Sequence, residues 1–236
     1  MKSILHKANT RGHANHGWLD SYHSFSFAGY YDPERVHFGA LRVLNDDTVA
    51  GGRGFGAHPH DNMEIISIPT EGALEHKDNM GNTQVIGQGD VQVMSAGTGI
   101  QHAEKNKSVD AQVKFFQIWV FPKEKDITPR YDQKVFDAED KSNKIVTVVS
   151  PDKKNGVLWI NQDSYFSLTS LDADKSVTYK INHKGNGVYI FIIDGEVEIA
   201  GEKLSKRDAM GLEEIESVEI KALQNSEVLF IEVPMN

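Results

Sequence analysis

Two short steps in the chain place metal-ligating side chains two residues apart: His58-Pro59-His60 and His102-Ala103-Glu104. On a β-strand, residues i and i+2 project from the same face, so each step aims two such groups in one direction. Three imidazoles and one carboxylate suffice to hold a divalent transition metal and leave positions open for chemistry. The chain has no cysteine. Thiolate ligands and disulfides are therefore excluded, and any metal takes nitrogen and oxygen donors. That donor set suits Fe(II), Ni(II), Mn(II), Cu(II) or Zn(II) and does not choose among them.

The elements that must position these steps read as strands. Short runs rich in β-branched and aromatic residues recur along the chain, among them Ile65-Ile66-Ser67-Ile68, Val91-Gln92-Val93, Phe115 to Phe121, Tyr189 to Ile193 and Val228 to Val233. Turn signals such as Gly51-Gly52, Glu71-Gly72, Gly87-Gln88-Gly89-Asp90 and Asp194-Gly195 separate them. Many short strands between such breaks predict an all-β fold of sandwich or barrel type. The 236 residues accommodate two domains of roughly 100 residues each. A polar, proline-bearing stretch from Pro122 to Asn143 reads as the connection between them, dividing residues 1–135 from 136–236. The halves share weak repeat features. Glu71-Gly72 and Asp194-Gly195 each follow an apolar strand, and each is followed by a turn ending in aspartate, Asp90 and Asp208.

The net charge is −9. The lysines near Lys123 to Lys125 and from Lys141 to Lys154 read as solvated loops, and no basic patch suited to nucleic acid appears. No run approaches the roughly 20 apolar residues of a membrane helix, and Met1 to Lys7 has no secretory apolar core. A cytoplasmic monomer without nucleic-acid or membrane partners is the expected setting.

The segment Gly52, His58-Pro59-His60, Glu64, Gly72 resembles the first cupin motif, with one residue more than usual before the last glycine. Gly89-Asp90 through His102 and Asn106 resembles the second, with its usual proline absent and a longer loop. Three further features are similar to the pirin family of two-cupin proteins: His76-x-Asp78-x-x-Gly81-Asn82, Gly97-x-Gly99-Ile100-x-His102-x-Glu104, and the opening stretch Gly17-Trp18-Leu19-Asp20-Ser21-Tyr22-His23 to Tyr31-Asp32-Pro33. The resemblance is dense to about residue 135 and loose beyond. It implies two tandem jelly-roll cupin domains and a metal, iron or a similar divalent ion, held by His58, His60, His102 and Glu104. It also implies a quercetin 2,3-dioxygenase activity. The substrates would be O2 and a flavonol, with release of carbon monoxide, and Glu104 is placed to take the proton of the substrate hydroxyl. A metal-dependent regulator without turnover is the alternative, as is another cupin chemistry on the same ligands.

Several residues carry competing readings. Glu64 stands where general cupins place their carboxylate. On a regular strand it shares a face with His58 and His60, and it is expected to orient a histidine behind the ligands. His76 and Asp78 are expected to fix a hairpin before Gly81-Asn82. Phe55, Met63 and Met94 are expected to pack the barrel rather than line a pocket, and Phe25 and Phe27 to form a strand with one buried face. His6, His13, His16, His23, His37 and His183 have no partner pattern. Aligning the repeats maps His58, His60, Glu64, His102 and Glu104 onto Ile181, His183, Gly187, Ile220 and Ala222, so the C-terminal domain is expected to lack metal.

Overall fold

The computed structural model describes residues 1–153 and 156–235, so Lys154 of the second lysine cluster lies outside the described residues. In chain order the strands of the first half are β1 (Lys2–His6), β2 (Gly12–Asn15), β3 (Leu19–His23), β4 (Leu41–Val49), β5 (Gly54–His60), β6 (Glu64–Glu71), β7 (Ala73–Asp78), β8 (Thr83–Gly87), β9 (Asp90–Ser95), β10 (Ile100–Asn106), β11 (Val113–Val120) and β12 (Arg130–Val135). The second half contributes β13 (Val146–Ser150), β14 (Leu158–Trp159), β15 (Tyr165–Leu171), β16 (Ser176–Lys180), β17 (Asn186–Asp194), β18 (Glu196–Ile199), β19 (Glu202–Ser205), β20 (Ala209–Glu213), β21 (Ser217–Ala222) and β22 (Ser226–Pro234). The protein is all-β, as its strand-and-turn punctuation predicts.

Each half is a sandwich of a large and a small sheet. The first pairs the order β12-β9-β6-β11-β4-β3-β2 with β5-β10-β7-β8, and the second pairs β1-β20-β17-β22-β15-β13-β14 with β16-β21-β18-β19. The repeat is therefore carried by topology: β9-β6-β11-β4-β3 matches β20-β17-β22-β15-β13 strand for strand. The turn glycines of the two equivalent hairpins, Gly72 and Gly195, have φ of +72° and +84°, a region that only glycine enters freely. Asp90 accepts the Gly87 amide at 2.7 Å and Asp208 the Ser205 amide at 3.0 Å, so the two aspartates close the same turn.

One strand crosses the division expected near residue 135, and another lies inside the expected connection. The first strand pairs with β20 in the C-terminal sheet, from Lys2 opposite Glu213 to His6 opposite Ala209. Within the polar stretch read as a connection, β12 pairs with β9 and caps the N-terminal sheet. Alternation on the large sheets explains how the halves associate. Ile66, Ile68, Phe116 and Ile118 from one half join Phe166, Phe191, Leu229 and Ile231 from the other in one buried cluster. Burying each such side chain contributes about 1.5–3 kcal/mol, which binds the two sandwiches back to back. The small sheets lie outermost.

The segment holding Phe25 and Phe27 is not a strand with one buried face. The third strand ends at His23, and Ser24, Phe25 and Ser26 are all buried. Phe25 joins the cluster between the halves, whereas Phe27 turns toward a cavity in the first sandwich.

Candidate metal centre

The tenth strand shows the alternation that a half-buried strand requires: Ile100, His102, Glu104 and Asn106 point inward, with Gln101 and Lys105 exposed. Its neighbour β5 runs antiparallel with His102 opposite His58 and Ile100 opposite His60. Between His102 and Glu104 the register slips, so that Glu104 lies opposite Phe55. The slip is a bulge in β5 around Gly56, the kind of irregularity that re-aims a side chain. The Gly56 carbonyl accepts a 2.8 Å hydrogen bond from His58 Nδ1, which leaves Nε2 of that ring as the free lone pair.

The three imidazoles meet. His58, His60 and His102 place one nitrogen each within 4.8 Å of one another, and their ring centroids are 4.5–4.9 Å apart. A second group on the same scale consists of His76, His102 and Glu104. His102 is thus common to both groups, which join the four residues expected as ligands, His58, His60, His102 and Glu104, with His76 in addition.

Both nitrogens of His102 are buried and without a hydrogen-bond partner. Leaving such groups unmade costs about 1–3 kcal/mol each, which a bound cation offsets. Burial, reinforced by His58, holds His60 at a pKa of about 4, and burial lowers His102 further. Both rings are accordingly neutral, with lone pairs available, at any pH near 7. Glu104 is fully buried, and burial raises its pKa. It accepts hydrogen bonds from Gln117 Nε2 at 2.7 Å and Ser67 Oγ at 3.1 Å, which fix its carboxylate on the His102 side. A buried carboxylate grouped with imidazoles is a nitrogen and oxygen donor set that fits a divalent transition metal.

Glu64 does not serve this group. Asn62 has φ of +44°, so the face shared by His58 and His60 does not continue into β6. Residues 64, 66 and 68 of that strand point to the other half instead. There Glu64 accepts from Ser95 Oγ at 2.8 Å and from the backbone amide of Asn161 at 3.1 Å. Burial pushes its pKa up to about 7. The expectation that Glu64 orients a ligand histidine is thereby corrected.

The expectation for His76 is half met. Asp78 closes the hairpin by accepting from the Met80 and Asn82 amides at 2.9 and 3.0 Å. His76, however, is a completely buried residue of the inner group, held by Asp78 at 3.1 Å with its Nδ1 unpartnered. Sequence reading misses it because i,i+2 spacing to Asp78 fits a turn equally well.

A cavity of about 890 Å³ opens onto His58, His60 and Glu104. Trp18, Phe27, Phe55 and Trp119 give it aromatic walls. The indole of Trp119 lies 5.0 Å from the His60 ring, and Trp18 meets Phe55 edge-on at 5.4 Å. Phe55 lines this cavity rather than serving as packing alone, while Met63 and Met94 pack as expected. His13, His16 and His23, unassigned from sequence, also border it. The signal for His23 is the alternation Ser21-x-His23 at the end of β3.

In the second sandwich the register positions differ by two residues from those aligned by sequence. Val218 pairs with Tyr179 as His102 pairs with His58, and Ile220 pairs with Ile199 as Glu104 pairs with His76. Ile181 bonds to Glu216 at the position of His60. His183, the one aligned ligand type, is exposed in a loop. The loops flanking these strands differ in length between the halves, and an even slip keeps a strand's face unchanged.

Residues 5–120 match the model of the Pirin family, and residues 147–233 match that described as the quercetinase C-terminal cupin domain. The chain is 45% identical over 230 residues to the quercetin 2,3-dioxygenase of Escherichia coli K12, covering 98% of each. It is 42% identical to a putative quercetin 2,3-dioxygenase of Pseudomonas aeruginosa, covering 94% of this chain and 95% of that one. A crystal structure of bacterial pirin YhhW from E. coli in complex with nickel(II) superposes with a TM-score of 0.93 at 43% identity, covering 99% of both chains.

Proposed function

The chain belongs to the pirin family of two-cupin proteins, and from that membership we infer that it is a metal-dependent dioxygenase of the quercetinase type. It cleaves a flavonol such as quercetin with O2 and releases carbon monoxide. The observation that carries this reading is the cluster of His58, His60 and His102, of which His58 and His60 border an aromatic-walled cavity of the size that takes a drug-sized planar molecule. The named activity of the E. coli relative supports it.

His58, His60, His102 and Glu104 hold one divalent metal, with Fe(II) as the first choice and Ni(II), Mn(II), Cu(II) or Zn(II) as alternatives. The nickel(II) complex of the related pirin supports a divalent transition metal at this site. When bound, the metal supplies Lewis acidity and a template for the flavonol and O2. The chain's residues do the rest. Gly56 fixes the His58 tautomer. Gln117 and Ser67 hold the Glu104 carboxylate, whose raised pKa suits it to receive the proton of the flavonol 3-hydroxyl. Trp18, Phe27, Phe55 and Trp119 sandwich the aromatic rings and exclude water.

The metal belongs to the unit of residues 1–135. The unit of residues 136–236 carries none and supports the first through the shared core. The protein acts as a monomer in the cytoplasm, without nucleic-acid or membrane partners. No helix of the described residues is long and apolar enough to cross a membrane.

The test is purified protein loaded with Fe(II), or with each alternative metal, given quercetin and O2. Loss of the flavonol absorbance with O2 uptake and carbon monoxide release is expected. Full metal occupancy without turnover would sink this reading and return the regulatory one.

A further inference from the structure

Away from the histidine cluster, the wall that β3 and β4 contribute to the cavity is polar and nearly closed to solvent. Ser21 pairs with Asp47, and His23 with Asn45, across the two strands. All four side chains border the cavity and none is more than 3% exposed. Ser21 Oγ donates to Asp47 Oδ1. With its single hydrogen so engaged, Ser21 must accept from His23, whose Nε2 lies 2.8 Å away. This chain fixes the tautomer of His23 and leaves its Nδ1 as a bare acceptor.

That acceptor has no partner, and neither has Asn45 Oδ1, although both are buried. Among the described residues the second oxygen of Asp47 is likewise without a hydrogen bond. Buried acceptors are ordinarily satisfied, yet here two stand unpartnered on one wall beside the Asp47 carboxylate. No lysine or arginine borders the cavity, so a carboxylate or phosphate entering it would find neither side chain to pair with at this wall. The equivalent positions in the second sandwich, Ser167 and Thr169, are hydroxyl residues without a carboxylate, a difference that backbone register alone does not require.

We propose that Ser21, His23, Asn45 and Asp47 form a hydroxyl-reading subsite that receives phenolic O–H donors from the part of the substrate remote from the histidine cluster, with Asp47 as the specificity-determining residue. The ligand class is a neutral, polyhydroxylated aromatic rather than an aromatic acid. Burial raises the Asp47 pKa to about 7, and the single hydrogen bond from Ser21 offsets that only in part. The inference rests on the dioxygenase reading for the identity of the substrate and refines it: the histidine end selects the reacting hydroxyl, and the acceptor wall selects the remaining ones.

The experiment compares quercetin with 3-hydroxyflavone, which keeps the reacting hydroxyl and lacks the others. For metal-loaded wild type and Asp47→Asn, kcat/KM and direct binding by calorimetry are measured for both, with salicylate as the acidic control. The wild type is expected to favour quercetin and to bind salicylate weakly. In Asp47→Asn the quercetin to 3-hydroxyflavone ratio should fall about 10-fold or more, the size of one buried hydrogen bond to a charged acceptor. Ser21→Ala, which removes the donor that orients Asp47, should move the ratio the same way by a smaller factor. It also serves if Asp47→Asn does not fold. A ratio unchanged in both variants, or salicylate binding as tightly as quercetin, overturns the subsite. If neither flavonol is turned over, the dioxygenase reading fails and the binding ratios decide the subsite by themselves.

Discussion

The two sandwiches have the same strand order and the same pairing, but their interiors are opposite in character. In the second, one continuous apolar cluster fills the space between the sheets. Val188, Ile190 and Phe230 of the large sheet meet Val197, Ile199, Val218 and Ile220 of the small one. In the first, the corresponding space is split into two lesser clusters, one around Leu74 and Phe115 and one around Ile65 and Met94. His58, His60, His76, His102 and Glu104 stand between them. Positions that carry imidazole or carboxylate in one barrel carry Tyr179, Ile181, Ile199, Val218 and Ile220 in the other. The scaffold therefore does not require the site. The second barrel shows how this fold closes when stability alone decides, and the first shows what is given up to keep a polar cavity.

The sharpest way to break the contrast is to give the first barrel the second's residue. His102→Val should abolish stoichiometric metal binding, with an affinity loss above about 100-fold, since even residues behind a metal's ligands cost 10–100-fold. Metal content after dialysis, read by elemental analysis, checks it. Thermal stability of the metal-free variant should equal or exceed that of the metal-free parent, because two unpartnered buried nitrogens are removed. Retained metal would move the centre of the site away from His102.

The reverse exchange tests the second barrel. Ile220→Glu places a carboxylate at the register position of Glu104, on a side chain with no measurable exposure and apolar neighbours. No Gln117 equivalent stands ready, since Phe230 occupies that position. A loss of about 3–5 kcal/mol in denaturant unfolding is expected, the cost of an uncompensated buried charge. A loss below about 1 kcal/mol would mean that the second interior is more polar than its packing indicates.

The exchange of supporting residues has a smaller effect. Gln117→Leu leaves the ligands in place and removes the 2.7 Å hydrogen bond to Glu104. Metal affinity should fall about 10–100-fold. Comparing Glu104→Ala with His76→Ala then sharpens the ligand set: the larger loss of metal is expected from Glu104→Ala, and the opposite order would seat the ion between His76 and His102.

Much of this contrast is legible in the amino-acid sequence. The i,i+2 spacing of the two histidine steps points to the shared face, because strand geometry is periodic at short range. The absence of ligands from the second half is legible too, although aligning the repeats by sequence misplaces the strands of the two histidine steps by two residues. An even slip preserves the face, and so the conclusion survives. Glu64 and His76 are not legible. The first depends on a single backbone dihedral at Asn62 that ends the alternation, and the second on which way a hairpin residue turns after its neighbour has closed the loop. The acceptor wall of Ser21, His23, Asn45 and Asp47 is hidden for another reason: its members come from two strands whose pairing is set by the sheet, not by their spacing.

The smallest expected effect concerns where the halves touch. Glu64 lies where the second barrel has Gly187, whose added Cβ would meet Met235 Sδ at 2.7 Å and Leu212 O at 3.0 Å. One barrel thus presents a buried carboxylate to the other, and the other has no room to return it. Burial raises the Glu64 pKa from 4.5 to about 7, so between those values the folded protein holds a proton that the unfolded chain has released. The contribution of Glu64 to stability then falls as pH rises through that window and levels off above about 7, with a slope of at most about 1.4 kcal/mol per pH unit for one proton. Asp47, raised to about 7 from 3.8, contributes in the same direction. Glu64→Gln removes this group alone and keeps an acceptor for the Asn161 amide. The stability of the parent relative to the variant should therefore fall between pH 5 and 7, by at most about 1.4 kcal/mol per pH unit, measured on metal-free protein. An unchanged slope would show that Glu64 is ionised at the contact between the halves and that its charge is balanced there.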